Sequence, residues 1–165
     1  MRSSCPSLSL LIAAALSILV VGMVAGCPKA ALIPNTRVPD TPANREIIDV
    51  AENYRIAMER RDAAALLAMT APEYFQPATK ADRGGYDRQG LAAVLRDRFR
   101  NVESVRYAIE YLDVQREGAR AHVDIYIDAT FQLKTETTPR WKRMTDYARL
   151  DFSWNGKRWL MLSGM

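Results

Sequence analysis

The chain has 165 residues, a formal net charge of +4 at pH 7 and a hydrophobic fraction of 48%. This length suits a single domain that can bury a core of its own. The positive surplus is small, and arginines such as Arg96, Arg98 and Arg143 lie among acidic residues instead of forming a run. The composition therefore argues against nucleic acid as a partner.

The amino terminus has the pattern of an export signal. Arg2 precedes a largely apolar stretch, Leu8 to Val21, and small residues follow it, as in secretory signal peptides. The stretch ends in Val24-Ala25-Gly26-Cys27, which resembles the lipobox of bacterial lipoproteins. The resemblance implies cleavage before Cys27 and attachment of lipid to its thiol, because a thiolate is the nucleophile that this modification requires.

Two other interpretations of this terminus stay open. An ordinary signal peptide would be cut at another position. An uncleaved stretch would anchor the chain, since its length approaches the roughly 18 apolar residues that can span a bilayer. Under the lipoprotein interpretation Cys5 leaves with the signal at 1–26 and Cys27 carries lipid, so the exported domain contains no disulfide.

Residues 27–42 are predicted to form a tether between the membrane and a folded domain at 43–165. Prolines at positions 28, 34, 39 and 42 and the lack of hydrophobic periodicity are typical of a semi-extended spacer. In the sorting rule of enteric lipoproteins, an Asp after the lipidated cysteine retains the protein at the inner membrane. Pro28 therefore favours the outer membrane, facing the periplasm, with the membrane as a partner through lipid on Cys27.

Three amphipathic helices are predicted in the first half of the domain. Thr41 and Pro42 favour a helix start, and one apolar stripe then reaches about Arg61: Ile47, Val50, Ala51, Tyr54, Ala57 and Met58. Asp62 is predicted to cap a short second helix. After a loop that contains Pro72, Pro77, Gly84 and Gly85, Asp87 is predicted to cap a third, which carries Leu91, Val94, Leu95 and Phe99.

From Val102 the hydrophobic period changes to two, which is typical of strands. The first strand is expected to end at a turn at 116–118. In the second, one face carries Ala121, Val123, Ile125, Ile127, Ala129 and Phe131, and the other carries His122, Asp124, Tyr126, Asp128 and Thr130. A third strand at 141–154 leads to Asn155-Gly156, which predicts a two-residue type I′ turn. A final strand at 158–164 completes an antiparallel meander.

This order of elements resembles the nuclear transport factor 2-like superfamily, also called SnoaL-like or ketosteroid-isomerase-like. The resemblance covers about residues 43–165 and includes the Arg61-Asp62 step after the long helix and the closing Trp154-Asn155-Gly156-Lys157-Arg158-Trp159. It implies an α+β fold in which a curved antiparallel sheet wraps the helices into a cone that often encloses a pocket, and many members dimerise through the sheet. The fold hosts isomerases, dehydratases and members without known activity, so it does not fix the function.

Enzymes of this family commonly place an acid or a His–Asp pair inside the cone. The single histidine of this chain, His122, is instead expected on the outer face beside Asp124, as a solvated or interface residue. No metal-ligand spacing and no glycine-rich phosphate loop occurs in the sequence. We therefore assign no catalytic residue, no cofactor and no metal.

Four further residues are candidates for a pocket: Tyr54, Tyr107, Tyr111 and Asp146. Tyrosines at these spacings are more often core residues whose hydroxyls find a partner. A buried carboxylate within hydrogen-bond reach of a His or Tyr inside the cone would indicate an enzyme.

Two functions are therefore considered. The first is a membrane-anchored envelope lipoprotein whose domain is a non-catalytic module for a small apolar ligand or another protein. Its outer-face row would then contact a second copy or an envelope protein: Asp124, Tyr126, Asp128 and Thr130. The alternative is an acid–base enzyme, isomerase- or dehydratase-like, that acts on an apolar small molecule in the cone.

Overall fold

The computed structural model describes residues 30–78, 84–136 and 138–165. The predicted signal at 1–26 and the predicted lipidation site Cys27 lie outside the described residues. The described chain forms α1 (Pro42–Arg60), α2 (Ala63–Ala68), β1 (Phe75–Gln76), β2 (Tyr86–Asp87), α3 (Arg88–Arg100), β3 (Val102–Glu117), β4 (Arg120–Leu133), β5 (Arg140–Trp154) and β6 (Trp159–Ser163).

All three helices begin at the predicted caps. The side chains of Thr41, Asp62 and Asp87 accept hydrogen bonds from the backbone N–H groups of Asn44, Ala65 and Gly90, which otherwise lack an intrahelical partner. α1 ends because Arg61 adopts a left-handed conformation, with φ of 54°, which closes the helix as in other left-handed caps. The three predicted helices are confirmed.

Strands β3 to β6 form one antiparallel meander in the order β3-β4-β5-β6. The alternation predicted for β4 is confirmed: Val123, Ile125 and Ala129 are fully buried against the helices, while the intervening side chains lie on the opposite side. We call the helix-facing side the inner face and the other side the outer face. The structure thus has the predicted α+β fold, helices packed against an antiparallel sheet.

The edge of β3 is covered by side chains of α1 and by the segment before it. Glu59 Oε1 accepts a hydrogen bond of 3.0 Å from the N–H of Tyr107, and the guanidinium of Arg55 donates to its carbonyl at 3.3 Å. The N–H of Arg37 donates to the carbonyl of Tyr111. These bonds satisfy backbone groups that an open edge strand would leave available to another chain.

Residues 31–40, which we call the strap, pack on the domain. Leu32 and Pro39 form an antiparallel bridge, Val38 is fully buried and Ile33 is 8% exposed. The predicted tether at 27–42 therefore overlaps the folded domain, which begins before position 43. Because of its prolines, the strap shows no hydrophobic periodicity in the sequence. The apolar side chains of Ile33 and Val38 nevertheless reach the core.

The predicted type I′ turn at Asn155-Gly156 is wrong. Trp154 pairs with Trp159, so the connection has four residues, and Asn155 is not among the residues with positive φ. The side-chain oxygen of Asn155 accepts hydrogen bonds from the N–H groups of Lys157 and Arg158 at 3.0 and 2.9 Å. This side-chain turn replaces the tight hairpin.

Two short strands, β1 and β2, were not predicted, because a strand of two residues is too short to show a hydrophobic alternation. They pair antiparallel within the loop between α2 and α3. A side-chain carbon on Gly85 would lie 2.8 Å from the carbonyl oxygen of Gln76, so this close approach requires glycine. The loop thereby lies beside β6, where Gln76 accepts a hydrogen bond from the N–H of Gly164.

Candidate functional site

A cavity of about 470 Å³ lies on the inner face, between the sheet and the ends of α1 and α3. We call it the cone pocket. Most of its lining is apolar: Met58, Phe99, Val102, Ile127, Phe131, Leu133, Met144 and Met165. Its polar side chains are Tyr54, Arg98, Tyr107 and Lys142. A mainly apolar lining with a few convergent polar groups is the usual composition of a small-molecule site.

Tyr54 of α1 and Tyr107 of β3 form a hydroxyl pair in this pocket. Their Oη atoms are 3.0 Å apart and their rings meet edge to face. Both side chains are almost completely buried, at 2% and 3% exposed. The Glu59 and Arg55 contacts to the Tyr107 backbone fix the position of one partner, and the stripe of α1 that faces the core fixes the other.

Burial raises the pKa of both tyrosines above the ordinary value, because a buried phenolate would lose its hydration. The positive charge of Arg98 acts in the opposite direction on both groups, so this guanidinium lies within electrostatic reach of the hydroxyls. The two hydroxyls therefore stay protonated at neutral pH and can donate hydrogen bonds.

The other two pocket candidates lie elsewhere. Tyr111 donates a hydrogen bond of 2.8 Å to Glu52 Oε2 beside the strap, and it does not line the cone pocket. Asp146 lies on the same face of β5 as Lys142 and Met144, but it is exposed and accepts a hydrogen bond from the N–H of Tyr147. The candidates thus separate into a buried pair, a residue bound to α1 and an exposed carboxylate.

On the outer face, the aspartates of the predicted interaction row form ion pairs with arginines of β5. Asp124 accepts two hydrogen bonds from Arg149, and Asp128 accepts two from Arg143. These bonds hold the pKa of both carboxyls below the ordinary value.

The aromatic residues of the outer face are more exposed. Between the two ion pairs, the rings of Tyr126 and Tyr147 lie 5.0 Å apart, and 74% of Tyr147 is exposed. Trp141, 59% exposed, borders a shallow depression that Thr130 also lines. The row therefore presents aromatic surface between charged pairs.

His122 lies on the outer face as predicted, and its charge contributes to the lowered pKa of Asp124 after the dominant effect of Arg149. It lines a groove of about 450 Å³ with Phe75, Asp151 and Ser163. Its Nε2 atom is buried without a hydrogen-bond partner. Neighbouring side chains therefore cover this atom, although the residue lies on the outer face.

The model of the SnoaL-like domain family matches residues 47–161. The chain belongs to the SnoaL-like domain family. Among curated proteins, none matches the chain. The match spans the helices and the sheet that build the cone pocket, so the predicted superfamily is confirmed.

Several solved structures share the fold of this SnoaL-like domain at low sequence identity. A ketosteroid isomerase-like protein from Erwinia carotovora atroseptica is 19% identical, with a TM-score of 0.62 over 76% of this chain and 95% of that chain. A nuclear transport factor 2-like superfamily protein from Salmonella enterica serovar Typhimurium is 11% identical, with a TM-score of 0.62 over 73% and 86%.

A type 2 hexachlorocyclohexane dehydrochlorinase is 9% identical, with a TM-score of 0.62 over 74% of this chain and 82% of that chain. At such identities the likeness concerns the fold alone. The cone pocket of the SnoaL-like domain must therefore be interpreted from its own side chains.

Sequence reasoning missed the two cations of the cone pocket, Arg98 and Lys142. For Lys142 a signal was present, since it shares the strand alternation of Met144 and Leu150 and thus falls on the inner face. For Arg98 a signal was also present, since it follows Leu91, Val94 and Leu95 at helical spacing and thus falls on the face of α3 that carries the apolar stripe. Within the described parts of the chain, no group of His, Cys, Asp and Glu side chains is arranged to hold a metal ion.

Proposed function

We propose that the protein is an envelope lipoprotein whose SnoaL-like domain holds an apolar small molecule in the cone pocket without converting it chemically. The observation that carries the proposal is the lining of this pocket. Its wall is apolar, its tyrosines are paired with each other, and none of the described residues that line it is an Asp, Glu or His. The pocket offers contact area and hydrogen-bond donors, which suffice for binding.

Acid–base catalysis requires a group that accepts a proton near neutral pH as well as one that donates it. Burial raises the pKa of Tyr54 and Tyr107, so both hydroxyls act as donors. Arg98 and Lys142 are cations at neutral pH. Among the described side chains of the pocket wall there is therefore no acceptor of the kind that acid–base catalysis requires, which favours a binding function.

A pair of tryptophan substitutions in β5 tests this use of the pocket. Met144 lines the cone pocket and Thr145 follows it on the opposite face. We expect Met144→Trp to fill the cavity and weaken binding of the neutral dye Nile red at least about tenfold, measured by fluorescence. Thr145→Trp is the matched control. Equal binding by both variants would contradict the proposed function.

The lipid anchor is supported by the Val24-Ala25-Gly26-Cys27 motif. In the part of the chain that the structure describes, no helix combines the length and apolar character needed to cross a membrane. We propose lipidation at Cys27 and localisation to the outer membrane, facing the periplasm. Cys27→Ala should abolish acylation and leave uncleaved or released protein. An unchanged mass and an unchanged membrane fraction would disprove the anchor.

We also propose that the outer face contacts a second copy of the chain. Its exposed aromatic residues, Trp141 and Tyr147, lie among alternating positive and negative side chains, which suits a self-complementary surface. Tyr147→Glu should weaken association, as measured by sedimentation. Glu136→Gln, a charge change outside the strands, serves as the control. A monomeric parent protein would direct the search to a different envelope protein as the partner.

One observation favours the alternative, an acid–base enzyme that acts on an apolar molecule. After burial, the carboxylate of Asp146 also contributes to the raised pKa of Tyr107, so this exposed base lies within electrostatic reach of the hydroxyl pair. Under this alternative, Asp146→Asn should abolish turnover of a bound substrate while its affinity persists. Under the favoured function, the same variant changes no reaction because none occurs.

A further inference from the structure

The long strand β5 has an open edge. Its neighbour β6 pairs only with residues 151–154, whereas β5 begins at Arg140, so most of β5 is paired on one side alone, with β4. Every residue from 140 to 147 is exposed. The backbone groups of such an edge can pair with another chain, and we call residues 141–147 the open edge.

The outward backbone groups of the open edge belong to its odd-numbered residues. The N–H of Trp154 donates to the carbonyl of Ala119 on the β4 side, and the register between β4 and β5 is regular along their length. Alternate residues of an antiparallel strand bond to the same side, so even-numbered residues of β5 bond to β4. The residues that point away from β4 are Trp141, Arg143, Thr145 and Tyr147.

Within the described parts of the chain, one outward group of the open edge has a hydrogen-bond partner. The N–H of Tyr147 donates to the side chain of Asp146 at 2.9 Å. The edge of β3 differs, because side chains of α1 and the backbone of the strap bind its outward groups. The β5 edge is therefore the one at which a further strand can be added.

The side chains of the open edge complement themselves under a two-fold rotation. If a second copy of β5 pairs antiparallel with Met144 opposite the partner's Met144, then Lys142 lies opposite the partner's Asp146 on the inner face. On the outer face, Trp141 lies opposite the partner's Tyr147. Opposite charges and aromatic pairs that face each other across a ladder stabilise it. Each match occurs twice, because the rotation repeats it.

Neighbouring registers lose the match of charges. A shift by two residues would set Lys142 opposite the partner's Ala148 or the partner's Met144, neither of which is charged. The arginines of the outer face do not oppose the pairing, since Arg143 and Arg149 already form ion pairs with carboxylates of β4. The sequence of the open edge therefore favours one register.

The open edge also exposes apolar surface. Trp141, Met144 and Tyr147 are each at least 40% exposed. In the favoured register Met144 lies at the two-fold axis, and the two aromatic residues face their counterparts on either side of it. Pairing would therefore remove apolar surface from water, which favours association.

We infer that two copies of the chain join through the open edges of β5 and form one continuous sheet. The inference rests on the proposed contact between copies and deepens it by naming the strand and the register. On pairing, the N–H of Tyr147 turns to the partner's backbone, and Asp146 turns to the partner's Lys142. Because Lys142 and Met144 also line the cone pocket, the partner's β5 extends the wall of that pocket.

An exchange of charge between positions 142 and 146 tests this register. Residues 30–165 contain one contiguous hydrophobic core, the requirement for a domain that folds alone, so sedimentation can use this segment. Lys142→Asp and Asp146→Lys each set like charges opposite one another and should weaken self-association at least about tenfold. A mixture of the two variants restores both opposite-charge pairs and should associate as the parent does.

The possible results have different meanings. If the parent associates and neither variant is weakened, the edge pairing is overturned while the outer-face contact stands. A mixture that associates no better than its components would also overturn the register. If the parent stays monomeric, the edge inference fails together with the proposed contact between copies, and binding of Nile red still tests the cone pocket.

Cysteine cross-linking locates the two-fold axis. Residues 30–165 contain no cysteine, so an introduced thiol can react only with its own copy. Met144→Cys places two thiols opposite each other in a pair without ladder hydrogen bonds, near enough for a disulfide, and should give covalent dimers on mild oxidation. Ala148→Cys, the control on the same face, separates the thiols by roughly 27 Å. Equal yields of covalent dimer from the two variants would overturn the inference.

Discussion

The two faces of the central sheet differ in how they satisfy their polar groups. On the inner face, Tyr54 and Tyr107 are buried and hydrogen-bonded to each other, and most of the cavity beside them is lined by apolar side chains. On the outer face, Asp124 and Asp128 are paired with arginines in reach of water. The sheet therefore has a largely apolar face that would select a small molecule and a charged, solvent-exposed face suited to a large partner.

The largest contrast is expected from adjacent residues of β4. Ile125 is fully buried on the inner face, so Ile125→Ala should lower the free energy of unfolding by about 2–5 kcal/mol through lost contacts and a cavity. Asp124→Ala, its neighbour on the outer face, should cost far less because surface ion pairs contribute little. Denaturant unfolding measures both. Similar losses for the two variants would contradict the assignment of faces.

Alkaline pH should destabilise the inner side of the molecule. The pKa values of Tyr54, Tyr74, Tyr107 and Tyr111 are raised, mainly by burial. The unfolded chain therefore releases these protons first, near pH 10, and stability falls as the pH rises from there towards the folded pKa values. Each tyrosine should contribute about 1.4 kcal/mol per pH unit within that window.

Thermal melts at increasing pH check this loss. Tyr107→Phe removes one titrating group and should make the decline less steep. Stability that stays constant from neutral pH into the alkaline window would show that these hydroxyls are not protected in the folded protein.

The hydroxyl pair itself is expected to contribute less. Tyr54→Phe leaves the Tyr107 hydroxyl without its partner, and we expect a loss of about 1 kcal/mol. Tyr147→Phe, at an exposed position of the outer face, should have no measurable effect in the same unfolding experiment. A larger loss in Tyr147→Phe than in Tyr54→Phe would reverse the proposed comparison.

The smallest effect is expected at the outer-face ion pairs. Arg143→Gln removes the partner of Asp128 and should lower the melting temperature slightly at neutral pH. The pairing holds the pKa of Asp128 below its usual value, so the stability it provides is present above the ordinary Asp pKa and lost as the pH falls through the folded one. The difference between parent and variant should therefore vanish in acid, and a difference that persists there would have another cause.

Local signals in the sequence predicted the parts of the fold that depend on near neighbours. Thr41, Asp62 and Asp87 cap helices through bonds that span three residues, and the alternation along β4 requires only a period of two. The strap could not be predicted in this way, because Ile33 and Val38 are buried by residues that are remote in sequence.

The candidate site shows the same limit. The sequence identified Tyr54 and Tyr107 as possible pocket residues, but their hydroxyl pair joins residues 53 positions apart. Arg98 continues the apolar stripe of α3, but only the packing of that helix on the sheet brings it to the cone pocket. The prediction of a type I′ turn at Asn155-Gly156 failed for a local reason. A turn closed by hydrogen bonds to the Asn155 side chain competes with the type I′ hairpin for the same pair of residues.

The strap also bears on the order of folding events. Its ion pair between Arg37 and Glu110 joins residues 73 positions apart, and chains are synthesised from the amino end. The strap therefore exists long before β3 offers it a surface, and closing so long a loop carries an entropic cost. We expect it to dock late, to open first in the native state, and to exchange its amide hydrogens faster than the central strands.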